Sequence, residues 1–181
     1  WHVEPRHGGN RGLRGLRGMT ASPGFSIRDG RIPDDEAVMI RFIDALQRFE
    51  YAMEPDRRID PRAGADYLPH LLKRVKESDG RIFIAESEGQ PAGWAVFHTL
   101  ENMIYVIEAE RRYGYIAELY IEEPFRGRGL GRDLIAACEG AGRALGLKLM
   151  MIGALAGNTR ARKAYEGAGY APYSLELRKY L

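Results

Sequence analysis

A chain of 181 residues, 45% apolar and 29% charged, is long enough for one hydrophobic core, and no apolar run approaches the roughly 18 residues that cross a bilayer. Its net charge of +2 comes from the first eighteen residues, where Arg6, Arg11, Arg14 and Arg17 outnumber Glu4; the remainder sits near −1 and is not built as a polycation for nucleic acid. With Cys138 as the only cysteine an internal disulfide is excluded, and with no apolar leader a secretory signal is not expected; a cytoplasmic protein is.

Residues 1–18, with GLRGLRG at 12–18, are rich in glycine and arginine and lack apolar periodicity, so they read as a disordered extension. Met19 follows directly and is expected to start the native protein; an RNA-contacting tail is the alternative. A single domain is expected over 19–181. Phe25 to Arg28 predicts a short strand. Pro33-Asp34-Asp35-Glu36 opens a helix with acidic residues in its first turn, where the dipole favours them, and Val38, Phe42, Ala45, Leu46 and Phe49 recur at helical spacing. A polar connection over 55–64 leads to a second helix over 66–77, with Leu68, Leu71, Leu72 and Val75 on one side. Arg81 to Glu86 and Ala92 to Thr99 form a hairpin around Glu88-Gly89-Gln90.

Residues 102–113 are ambiguous between strand, short helix and loop. Tyr115 to Ile121 predicts a strand. Leu130, Leu134, Cys138, Ala141 and Leu145 mark a long helix ending near Gly146, with Cys138 on its apolar stripe as a packing residue. A buried strand over 147–152, a short helix over 159–166 and one or two strands over 170–181 complete the order. Helix pair, hairpin, then strand–helix–strand–helix is a mixed α+β arrangement.

Chemistry concentrates in Arg126-Gly127-Arg128-Gly129-Leu130-Gly131-Arg132, between a strand and a helix. Glycines at alternate positions let the backbone approach a ligand closely, and their N–H groups join the first amides of the helix in an anion-binding nest. The three arginines add charge-assisted contacts suited to a pyrophosphate. The loop lacks the Lys-Ser/Thr of a P-loop, and its G-x-G-x-G spacing and late position do not match a dinucleotide fold. No His/Cys/Asp cluster has metal-ligand spacing, and no Ser-His-Asp order is readable.

Placed after Ile116-Ala117-Glu118-Leu119-Tyr120-Ile121, this loop resembles the acetyl-CoA loop of the GNAT superfamily of N-acetyltransferases. The run from Asn158 through Ala161 and Tyr165 to Gly169-Tyr170 is similar to that family's N-x-x-A-x-x-x-Y-x-x-x-G-[FY] pattern. The resemblance implies a central mixed, mostly antiparallel sheet of six to seven strands flanked by about four helices. It implies acetyl transfer from acetyl-CoA to a primary amine, in a small molecule or a peptide, by direct attack in a ternary complex and without a metal. Homodimers occur in the family, and no membrane or nucleic-acid partner is implied for the folded domain. A catalytically silent CoA-binding sensor or interaction module of the same fold is the alternative.

On this resemblance the pyrophosphate falls to Arg126, Gly127, Arg128, Gly129, Leu130, Gly131 and Arg132, and the pantetheine arm to the backbone of Leu119, Tyr120 and Ile121. Asn158 would contact that arm, cap the short helix, or do both. Tyr165 is the candidate acid for the departing thiolate, a phenol with an ordinary pKa near 10 being a neutral donor at pH 7; core packing is the alternative. Glu118 is the candidate base, with a solvent-facing strand position as the alternative. Alternation would put Ile116, Glu118 and Tyr120 on one face of their strand. His98, in the hairpin strand, could be a base, although a lone histidine is more often structural. Glu50, Glu54, Asp56, Asp60, Asp66, Glu101, Glu108 and Glu110 would suit a cationic acceptor, although Arg57, Arg58, Arg111 and Arg112 are interleaved with them. Tyr51, Tyr67, Tyr105 and Tyr113 are candidate aromatic walls.

Overall fold

The computed structural model describes residues 22–181, so the expectations for 1–18 and Met19 lie outside the described residues. In chain order the elements are β1 (Phe25–Asp29), α1 (Glu36–Tyr51), α2 (Ala63–Glu77), β2 (Arg81–Ser87), β3 (Gln90–Glu101), α3 (Glu108–Arg111), β4 (Arg112–Ile121), α4 (Leu130–Ala144), β5 (Met150–Ile152) and α5 (Thr159–Gly167). A 3-10 turn over Glu123–Phe125 joins β4 to α4. The strands lie in the order β1-β2-β3-β4-β5, antiparallel except that β5 runs parallel to β4.

Strand alternation sorts the sheet's side chains into two cores. Ile82, Ile84, Trp94 and Val96 point toward α1 and α2, where Met39, Phe42, Ile43, Leu68 and Leu71 close over them. Phe83, Ala85, Ala95 and Phe97 point the other way and meet Leu130, Leu134 and Cys138 of α4. Each large side chain buried in this way contributes on the order of 1.5–3 kcal/mol. Cys138 is fully buried, and burial pushes its thiol up, so it packs rather than reacts.

Local chemistry sets the boundaries. Helix α2 starts at Ala63, three residues before Asp66, because the Gly64 N–H donates to Asp44 Oδ1 at 2.9 Å across the α1–α2 contact. Asp35 stands at the start of α1, yet its carboxylate accepts from Arg28 at 2.6 and 2.8 Å and from the Arg31 N–H at 2.7 Å. It therefore ties β1 to α1, and the Arg28 guanidinium holds it below the usual carboxylate range. The ambiguous stretch over 102–113 resolves into a loop, the single turn of α3 and the start of β4 at Arg112.

Two expectations are corrected. Residues 170–181 form no strand, so the sheet has five strands among the described residues instead of six to seven. Pro172 lacks an N–H, Leu175 and Leu177 stay 77% and 89% exposed, and three-residue β5 offers only a short edge. Arg178 instead draws the tail across the molecule, donating to Glu54 Oε2 and Asp56 Oδ2 at 2.5 Å each.

At Gly93 the backbone of β3 lies close against that of β4. A Cβ there would lie 2.6 Å from the Tyr120 carbonyl oxygen and 3.1 Å from Ile121 Cα, both backbone atoms. Gly93→Ala is therefore expected to cost about 1–3 kcal/mol, as overpacking does. Urea unfolding of the two proteins measures it, and an unchanged midpoint would show that the strands can part freely.

Candidate functional site

Strands β4 and β5 pair over only three residues each. Gly114, Tyr115 and Ile116 face Met150, Met151 and Ile152, after which the chain leaves the sheet toward Asn158. β4 continues to Ile121, so its edge beyond Ile116 is open on the side that β5 vacates. A groove of about 480 Å³ follows this split. Its floor is β4 from Ala117 to Ile121, except Glu118; one wall is the glycine loop and the start of α4, the other is Gly153, Ala154 and α5.

A bulge in β4 sets the directions of the side chains. Phe97 pairs with Ile116 and Val96 with Glu118, which leaves Ala117 as an extra residue without a partner in β3. Alternation is broken there. Ile116 packs on the α4 side with Leu119 and Ile121, whereas Tyr120 joins the core under α1 and α2. The expected grouping of Ile116 with Glu118 and Tyr120 is thus corrected: Ile116 lies on the opposite face. Glu118 faces the α1–α2 side, away from the groove floor.

At the glycine loop, Gly127 and Gly129 have φ of +77° and +89°, a region that L side chains enter only under strain. A Cβ on Gly127 would meet nothing within 4 Å, so this part of the loop is open to a ligand. The first amides of α4, after Gly129, lack carbonyl partners in a preceding turn, and the nest can accept an anion. The three arginines have separate positions. Arg132 is three-quarters exposed and lines the groove. Arg126 also lines it, but its Nε donates to the Ile121 carbonyl at 2.8 Å and its guanidinium lies 5.6 Å from both the Phe49 and Tyr120 rings. Arg128 stacks 4.7 Å over Phe25 and does not line the groove. Leu130 is 1% exposed, a core residue whose side chain is likewise absent from the groove wall.

Asn158 Oδ1 accepts from the Ala161 N–H at 3.0 Å, so the residue caps α5 while also lining the groove. Tyr165 lines the same wall and packs its ring against the α4-side core. Burial, followed by the charge of Glu50, pushes its phenol up to about 12, which keeps it a neutral donor. Across β4, Glu118 is 6% exposed and accepts from Tyr67 Oη at 2.8 Å. Burial pushes its carboxyl up to about 7, partly opposed by the Tyr67 hydrogen bond. The charge of Glu50 raises both groups, with Tyr165 in the groove wall and Glu118 on the opposite, α1–α2 side of β4.

The expected acidic face is largely neutralised. Arg57 pairs with Glu50 at 2.7 Å and with Asp56 at 2.6 Å; Arg58 pairs with Asp60 at 2.9 Å and Asp66 at 3.0 Å; Arg178 takes Glu54 and Asp56. Glu101 pairs in register with Arg112, so Glu101, Glu108 and Glu110 lie at the far end of β4, roughly 20 Å along the strand from Glu118. Of the four candidate tyrosines, Tyr67 reaches the site, whereas Tyr105 is 83% exposed and Tyr51 39% exposed. His98 is 1% exposed, with Nδ1 3.3 Å from the Thr99 carbonyl and its pKa pushed down by burial, so it is a core residue as expected.

Sequence reasoning missed Phe49 and Arg160 in the groove wall, and Glu50, expected only among the acidic residues suited to a cationic acceptor, lines it as well. Arg160, two residues past the cap of α5, could have been found from the motif; the α1 residues could not, because their contact is tertiary. Among the described residues no group of three or more His, Cys, Asp or Glu could hold a metal ion.

Comparison with known proteins gives a consistent result. Residues 41–170 match the acetyltransferase (GNAT) family. An uncharacterised N-acetyltransferase of Bacillus subtilis, YycN, is 27% identical over 95 residues, covering 52% of this chain and 57% of that protein, so the chain spans little more than half the length of this curated relative. Among solved structures, a variant of the BH1408 protein of Bacillus halodurans superposes with a TM-score of 0.73 at 18% identity, covering 86% of this chain and 99% of that one. Glucosamine-6-phosphate N-acetyltransferase of Arabidopsis thaliana superposes with a TM-score of 0.63 at 17% identity, covering 86% and 97%. At these identities the likeness establishes the fold.

Proposed function

We propose that this chain, which belongs to the acetyltransferase (GNAT) family, transfers an acetyl group from acetyl-CoA to a primary amine of a small molecule or peptide. The amine attacks directly within a ternary complex. The observation that carries this reading is the split between β4 and β5, with a groove and Tyr165 on one side and Glu118 on the other.

The residues present fit acetyl-CoA. The open cradle at Gly127 and the first amides of α4 suit its pyrophosphate, with Arg132 and Arg126 alongside. The unpaired edge of β4 offers backbone groups for the pantetheine amides, as a strand does for an added peptide. Asn158 retains its side-chain N–H₂ while Oδ1 caps α5. When bound, the thioester supplies the activated acetyl group. The chain's own residues then orient the amine, take its proton at Glu118 and return one to the thiolate from Tyr165. A cytoplasmic location belongs to this reading, and among the described residues no helix is long and apolar enough to cross a membrane.

Acetyl-CoA is expected to raise the melting temperature and to release free thiol when an amine from a broad panel is added. Gly127→Glu, which places a carboxylate in the open cradle, is expected to weaken acetyl-CoA binding at least about 10-fold in calorimetry. Gly129 is a poorer probe, because a Cβ there would sit 2.5 Å from Ser22 Oγ and disturb the loop itself. No thermal shift and no thiol release would end the proposal; stabilisation without turnover on any amine would leave the silent-module alternative.

A further inference from the structure

Resting on the reading of Glu118 as base, we propose that Tyr67 is its positioning residue: it holds carboxylate Oε1 from α2, so that the amine proton is taken at Oε2. Tyr67 sits next to Leu68, which α2 buries against the sheet, so its ring is fixed by the same packing that seats the helix. From there Oη reaches 51 residues along the chain to Glu118 Oε1 at 2.8 Å. Among the described residues this is the side-chain hydrogen bond that Glu118 accepts, and Oε2 has no such partner yet is not sealed from solvent. One oxygen is therefore occupied and the other is left for a proton.

Direction follows from chemistry. Burial and the charge of Glu118 push the Tyr67 phenol well above its ordinary range, so it remains an O–H donor throughout the neutral region and does not itself accept the amine proton. A phenol donating to a carboxylate favours the anion, which opposes the burial that would otherwise keep Glu118 protonated. The other groups facing Glu118 are Arg74 on α2, Glu50 at the end of α1, Arg57 in the α1–α2 connection and Tyr115 on β4, with His98 of β3 against the Tyr115 ring. None of these hydrogen-bonds the carboxylate, so among the described residues Tyr67 has the direct hold on its geometry.

Tyr67→Phe removes only the hydroxyl and keeps the packed ring. In the full chain with acetyl-CoA bound, the Glu118 carboxyl, identified by its loss from the ¹³C spectrum of Glu118→Gln, is expected to titrate about one pH unit higher in Tyr67→Phe. With whichever of spermidine, an aminoglycoside or a lysine-bearing peptide turns over, kcat is expected to fall roughly 5-fold at pH 7 and to recover by pH 9. An unmoved titration, or a loss equal at all pH values, overturns the positioning role. Full activity in Glu118→Gln overturns the base reading and the positioning role with it. An inactive Glu118→Gln beside an unmoved Tyr67→Phe titration overturns the positioning role alone.

Discussion

Glu118→Gln is expected to be more stable than the parent protein at pH 8 and nearly inactive. The parent carboxyl is 6% exposed, and burial raises it from an ordinary 4.5 to about 7. A group whose folded pKa lies above its unfolded value supports folding fully below the unfolded value and loses that support as pH rises through the folded one. Between about pH 4.5 and pH 7 the parent therefore gives up stability on the order of 3 kcal/mol, which the neutral amide does not. For a chain of this size that is a melting-temperature gain of several degrees, up to roughly 10 °C, at pH 8. The gain should shrink to nothing below pH 4.5. The amide introduced by Glu118→Gln retains an oxygen to accept from Tyr67, so the packing survives. Loss of the base should lower kcat/KM by about 10²–10⁴. Scanning calorimetry at pH 5 and pH 8 with one activity assay checks both halves; equal melting temperatures at pH 8 would mean that the carboxylate is well solvated after all. His98, whose folded pKa is pushed down, destabilises both proteins as pH falls through its unfolded range, and so cancels from the comparison.

This coupling of burial to chemistry is what the sequence concealed. The elements themselves were legible because their signals are local. Val38, Phe42 and Phe49 recur at helical spacing, Glu88-Gly89 turns the hairpin with φ of 51° and 76°, and the glycine loop follows a strand. The motif through Asn158 and Tyr165 likewise delivered both residues to the groove wall. What failed is non-local. Nothing in Ile116-Ala117-Glu118 announces that Ala117 is skipped by β3, because a bulge is decided by two strands together. That single extra residue turns Ile116 and Glu118 to opposite faces. Tyr67 was one aromatic among four until α2 docked and brought its hydroxyl to Glu118.

The tail illustrates the same limit in another form. Ser174-Leu175-Glu176-Leu177 alternates like a strand, and on pattern alone it belongs in a sheet. Pattern says nothing of whether an edge is available, and β5 ends after Ile152. The ion pairs of Arg178 with Glu54 and Asp56 are exposed contacts, each worth little in isolation. They nevertheless lay the tail beside the α1–α2 connection, where they neutralise two of the acidic residues that suggested a cationic acceptor. The α1–α2 side of β4 is consequently a mixed field, with Glu118 as its buried carboxylate.

Tyr165→Phe is expected to lower kcat by about 10²-fold with the KM for acetyl-CoA changed less than about threefold. The hydroxyl makes no hydrogen bond among the described residues, while the ring packs on the α4-side core; removing the oxygen therefore leaves the groove wall in place. A departing thiolate then has to find its proton in water. Because the phenol is held up to about 12, its protonation does not change between pH 6 and pH 9, and the ratio of parent to variant kcat should be flat across that range. That flatness separates it from Tyr67→Phe, whose deficit should close as pH rises. Steady-state kinetics at several pH values distinguish the two in one series. A Tyr165→Phe enzyme with full turnover would move the acid role to solvent. One whose KM for acetyl-CoA rose with kcat unchanged would make the tyrosine a binding residue of the groove, with the proton delivered from elsewhere.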